Sequence, residues 1–129
     1  MSLFDLPLVD IAFVVGTNED WDDSLSWSRD GSPLSLAGIS FSSVLRVRSD
    51  DSYPSLVLSS EPPAPDSPYP SGQFVVGGPG DSLLGWYVPY SVLQRIVPRV
   101  YVMDVLGQAG GRRRRVATGT VDVQLGVTR

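Results

Sequence analysis

Between Arg115 and Val127 apolar side chains return at every second place. After Val116 come Val121, Val123, Leu125 and Val127, with Asp122, Gln124 and Gly126 between them. A period of two marks a strand with one face on a core and the other in water. Such a strand cannot bury its apolar face alone, so it commits the chain to a layered β-architecture. A chain that closes on it reads as one compact β-domain spanning 1–129.

The rest of the sequence repeats this rhythm. Leu8–Val15 reads as a first strand and Trp21–Trp27 as a second, separated by the turn residues 16–20. Arg29-Asp30-Gly31-Ser32-Pro33 is a strong turn signal, because Asp-Gly tolerates positive φ and proline sets the exit. Ile39 to Arg48 gives a long third strand with Arg46 and Arg48 on its wet face, and Leu56–Leu58 a short fourth. Pro62, Pro63, Pro65, Pro68 and Pro70 crowd the stretch 61–72. Proline donates nothing to a ladder, so this is an extended loop. Phe74–Val76 and Leu83–Val88 form a hairpin pair around residues 77–81. Pro89 to Ile96 is the one helical turn, with Ser91 as its cap and Leu93 and Ile96 facing inward. Val97–Leu106 and Arg112–Val127 are the last two strands, joined through Gly107–Gly111. Seven to nine short strands with regular turns predict an antiparallel β-sandwich.

Composition narrows the chemistry. The 13 glycines and 11 prolines in 129 residues favour turns over long helices, and 42% hydrophobic residues suffice for a core. There is no cysteine and no histidine. That removes disulfides, thiolate or imidazole metal sites and a histidine general base. All basic side chains are arginine, so lysine Schiff-base and phosphate-loop chemistry is also excluded. A formal charge of −4 argues against general nucleic-acid binding. No secretory leader is expected, since Asp5 and Asp10 interrupt an N-terminus that lacks basic residues. The longest apolar run, Ile11–Val15, is too short to span a bilayer. No cofactor and no membrane partner is expected.

The candidate sites are sparse. Arg112 to Arg115 offer an anion or acidic-partner contact, or arginines alternating between two strand faces. Asn18, Glu19, Asp20, Asp22 and Asp23 are a solvated turn or a weak cation loop, although the glycine and distal glutamate of an EF-hand are missing. Asp22, Asp23 and Asp104 are the carboxylates to test for catalysis, but no aromatic groove surrounds them. Trp27 reads as core and Trp86 is left open. Tyr53 and Tyr69 flank the proline loop, and with Pro63 and Pro65 they offer a low-entropy contact surface. Leu3, Phe4 and Leu6 suggest an N-terminal arm over 1–7 that docks on another chain.

Four stretches occur in a distinctive order: Trp21-Asp22-Asp23-Ser24-Leu25-Ser26-Trp27, Gly31-Ser32-Pro33-Leu34-Ser35-Leu36-Ala37-Gly38, Tyr101-Val102-Met103-Asp104-Val105 and Gly119 to Arg129. Together they resemble small bacteriophage virion structural proteins, and in particular the N-terminal domain of siphophage upper-baseplate proteins. Ser35 and Ala37 stand where that family's corner has Asp and Thr, and Met103 replaces an aromatic. The resemblance implies an immunoglobulin-like sandwich on a tail, baseplate or head. It implies contacts with other virion proteins and carries no catalytic residues. A phage structural protein of the tail or baseplate is therefore expected, made in the host bacterial cytoplasm and resident in the virion. Its loops 61–72 and 107–115 would meet its neighbours, and a homo-oligomer is left open. A head decoration protein is the alternative, separable by copy number. A carbohydrate-binding module is a second, resting on an exposed aromatic pair drawn from Trp86, Tyr87 and Tyr90.

Overall fold

The computed structural model describes residues 6–48, 54–62 and 68–126. Their elements in chain order are β1 (Val9–Gly16), β2 (Trp21–Ser26), β3 (Ser28–Arg29), β4 (Ser32–Pro33), β5 (Ser40–Arg46), β6 (Leu56–Ser59), β7 (Ser71–Gly77), β8 (Leu83–Val88), α1 (Tyr90–Leu93), β9 (Arg99–Ala109) and β10 (Arg112–Gln124). A short 3-10 turn, Pro79–Asp81, precedes β8. The protein is almost entirely β.

Alternation places the side chains as the sequence pattern requires. Phe41 and Leu45 of β5, Leu56 and Leu58 of β6, Leu84, Trp86 and Val88 of β8, and Tyr101, Met103 and Val105 of β9 are all buried. In β10 the apolar phase changes between Val116 and Val121, and both Val116 and Ala117 are buried. A register shift between Arg115 and Ala117 explains it: a bulge puts two consecutive side chains on the inner face. The strand stops at Gln124, and Leu125 is 66% exposed, outside the expected core row. Val127 lies outside the described residues.

Eight strands form one continuous ladder in the order β1-β10-β9-β5-β6-β7-β8-β2. The edges of this sheet, β1 and β2, are joined only through Thr17–Asp20. Flat, an eight-stranded sheet would separate its edges by seven spacings, about 34 Å. The five Cα steps from Gly16 to Trp21 reach about 18 Å at most. The sheet therefore curls until its edges approach, and it is nearly a barrel. Phe13 of β1 and Trp21 of β2 stand 6.0 Å apart between ring centroids across the seam. Hydrogen bonding does not divide these eight strands into two sheets, because β6 pairs with β7, while β3 and β4 form a separate two-stranded ribbon.

The pairing is not purely antiparallel either. β1 lies parallel to β10, and β6 parallel to β7. A parallel pair needs a connection that returns the chain to its starting end. Of the expected loop 61–72, Ser71 and Gly72 belong to β7, and residues 63–67 lie outside the described residues.

One hydrophobic cluster occupies the interior. Its aromatic rings run from the seam inward: Phe13–Trp86 at 5.3 Å, Trp86–Phe74 at 5.8 Å, Phe74–Phe41 at 6.4 Å and Phe41 stacked on Trp27 at 6.2 Å. Leu6, Leu34 and Leu36 close the end where β1 begins, and Leu93 and Ile96 the end where β8 finishes. Pro89, not Ser91, occupies the position before α1, and no side chain caps that turn.

Candidate interaction surfaces

The β9–β10 hairpin projects from the first of these ends. The strands continue to a two-residue turn, Gly110–Gly111, with φ of 57° and 75°. Glycine takes this left-handed pair without the Cβ penalty, and the turn matches the twist of the ribbon. The expected loop over 107–111 is thus mostly strand. The last β5 partner on this ribbon is Gln108, opposite Ser40, and the first β1 partner is Ala117, opposite Val9. The tip between them stands past both neighbouring strands.

This ribbon carries the arginines. Arg112 and Arg113 are exposed, Arg114 is half-buried and Arg115 exposed. Arg114 pairs with the buried Gly107 across the hairpin. Arg115 lies 3.9 Å from Asp104, both about half exposed. Asp104 also accepts the Thr118 hydroxyl at 2.6 Å. The charge run is therefore divided between two faces.

Behind the arginines, the indole of Trp27 donates to the carbonyl of Val116 at 3.1 Å in a buried bond. Val116 is the bulged residue that has lost its ladder partner, so Trp27 satisfies a carbonyl that the bulge would leave bare.

The acidic turn lies at the opposite end, held to the end of β10 by Thr17 N–H donating to the Gln124 carbonyl at 2.9 Å. Its carboxylates have structural work. Glu19 accepts the Gly16 amide at 2.9 Å and Asp20 accepts the Tyr90 amide at 2.8 Å. Asp23 accepts the Trp21 indole N–H at 3.0 Å. Among the described residues no three acidic groups converge to hold a metal ion. Asp22 and Asp104 are exposed on β2 and β9, and Asp104 is engaged by Arg115 and the Thr118 hydroxyl.

Beside this turn is a cavity of about 290 Å³, lined by Thr17, Asn18, Gln94, Ile96 and Leu125 among others. Leu125, which lines it, is 66% exposed. A second, smaller recess of about 180 Å³ lies on the outer face between β5 and β9, along Val44, Arg46, Val102 and Asp104.

Trp86 is core, and Tyr87 and Tyr90 are exposed. The Tyr87 hydroxyl is raised above the ordinary phenol value, by desolvation first and then by the charge and hydrogen bond of Asp20. Tyr69 is half-buried, with its carbonyl accepting the Ser71 hydroxyl at 3.0 Å. Leu6 is fully buried in the chain's own core. Leu3, Phe4, Tyr53, Pro63 and Pro65 lie outside the described residues.

The sequence reading passed over Trp27 as a hydrogen-bond donor, Gln94 and Leu125 at the cavity, and Asp20 as the clamp on α1. Each depends on a partner distant in sequence. No family model matches the chain, and no curated protein is significantly similar to it.

Proposed function

We propose that this chain is a non-enzymatic structural protein of a bacteriophage particle, associated with the tail or baseplate, whose work is to join neighbouring virion proteins. The observation that carries the reading is the strand order. Divided at the β6–β7 ladder, this order would give β2-β8-β7 and β1-β10-β9-β5-β6, the arrangement of a variable-type immunoglobulin sandwich with the helical turn α1 between β8 and β9. In that fold a tyrosine near the start of the penultimate strand bonds back to upstream backbone. Tyr101, near the start of β9, donates its hydroxyl to the Val97 carbonyl. The β6–β7 ladder would then join the two sheets along one side, leaving β1 and β2 as open edges on the other. This topology supports the sandwich implied by the resemblance to siphophage baseplate domains, and with it the virion role.

The surface fits an adhesive module. Edge strands offer unpaired backbone groups to a neighbour unless blunted. β1 reads Val-Asp-Ile-Ala-Phe-Val-Val-Gly, with one charge, no proline and an unbroken register. Symmetric particles multiply weak contacts of this kind.

Mass spectrometry of particles induced from the encoding genome tests the proposal. The polypeptide should be present at a few to tens of copies per particle. Hundreds of copies would transfer it to the head, and complete absence from particles would end the virion reading. The exposed pair Tyr87 and Tyr90, flanked by Asp20, is the observation that keeps a carbohydrate-binding role as a second reading. A glycan array without binding would remove it.

A further inference from the structure

We propose that copies of this chain associate head to tail, the β9–β10 hairpin tip of one seating in the cavity beside the acidic turn of the next. The inference rests on the assembly reading and names a partner for its arginine surface: a second copy.

The ladder register sets the geometry. Arg112 opens β10 and Gln124 ends it, and the acidic turn is tied to Gln124. A strand of this length extends about 40 Å. The arginines and the turn therefore occupy opposite ends of the molecule, and one copy cannot pair them internally.

The tip has the form of a peg. It stands past β1 and β5, and a side chain built at Gly110 or Gly111 would meet nothing within 4 Å. The other end has the form of a socket, the cavity of about 290 Å³ with Ile96 in its wall and Leu125 exposed at its mouth. The charges are complementary. Arg112 and Arg113 flank the peg, while Glu19 and Asp20 are exposed beside Asn18 of the socket. Glu19 gives Oε1 to the Gly16 amide; Asp20 gives Oδ1 to the Tyr90 amide and also bonds the Tyr87 hydroxyl, and with about four lone-pair sites per carboxylate both can still accept a guanidinium.

Such a contact is heterologous: the two surfaces differ, so association continues until a ring closes or a filament grows. A hairpin tip buries less than the roughly 800 Å² per partner of a standard interface, so one contact is weak. Its charges also make it sensitive to salt.

Sedimentation velocity distinguishes the outcomes. At about 0.5 mM protein, a concentration suited to a weak interface, the wild type should form species beyond the dimer in low salt and lose them in about 1 M salt. The double variant Arg112→Ser, Arg113→Ser lacks the peg charges. Glu19→Gln with Asp20→Asn lacks the socket charges but keeps acceptors for both structural amides. Each variant alone should associate about tenfold more weakly or worse. An equimolar mixture should form a 1:1 pair that grows no further, because one intact peg meets one intact socket. A wild type that stays monomeric, variants that associate like the wild type, or a mixture without the 1:1 pair would each overturn the proposal. None of these outcomes bears on whether the polypeptide is found in particles, so the two readings fail separately.

Discussion

Trp27 shows how one side chain resolves a defect that its own fold creates. The bulge at Val116 takes a carbonyl out of the ladder, and the Trp27 indole restores a partner to it. Trp27→Phe keeps most of the ring stacking on Phe41 but leaves that carbonyl buried and bare. Denaturant unfolding should show a loss of about 1–3 kcal/mol. Arg115 is the contrasting case. Its ion pair with Asp104 is half exposed, so Arg115→Ala should move stability by about 1 kcal/mol or less. Tyr101 adds a pH signature. Its phenol is raised above the usual value of 10.0, chiefly by burial, with Arg99 and the Val97 bond pulling the other way. A raised phenol holds its proton more tightly in the folded state than in the unfolded one. Its stabilisation is thus complete below pH 10 and is lost as pH rises through the folded value. Melting temperatures between pH 9 and 12 should fall, and Tyr101→Phe should lessen that fall while costing about 1 kcal/mol at neutral pH.

At the scale of elements, local alternation forecast nearly every strand, since burial of one face needs no knowledge of the partner. Partners were another matter. β1 and β2 follow one another across a short turn and yet sit at opposite edges of the sheet. β1 instead lies along β10, more than a hundred residues away, and Gly119 marks the approach. A Cβ there would collide with the backbone of Ile11. Gly119→Ala should therefore push β1 off β10. Hydrogen exchange should report lost protection across residues 9–16 before the β5–β9 ladder opens. β2 is protected differently, by Asp23, a charge on the inward-facing row of an edge strand. Asp23→Val should raise light scattering on storage, because the edge then offers an apolar template to other chains.

For the whole molecule, the single hydrophobic cluster predicts one cooperative unfolding transition. Calorimetric and van't Hoff enthalpies should agree at about 90 kcal/mol near 60 °C. The pairing of the first strand with the last makes the fold rich in distant contacts, so refolding should take milliseconds to seconds, as loop closure must precede the contacts that reward it. The site residues follow the same division. The alternation of Arg112 to Arg115 between two faces could be read directly from strand periodicity. The cavity beside Asn18 could not, because it exists only where the first turn, the segment after α1 and the end of β10 converge.

The sequence alone settled that the chain is β-rich, the alternating pattern of most of its strands, the Asp30-Gly31 turn, and which histidine, cysteine and lysine chemistries are excluded. These follow from periodicity and composition, which are local. Only the tertiary structure decided which strands pair, that two of those pairs are parallel, that the sheet curls until its edges approach, and that the arginines and the acidic turn occupy opposite ends. Those depend on hydrogen-bond register and chain closure between segments far apart in sequence, and no local pattern encodes the partner of a strand.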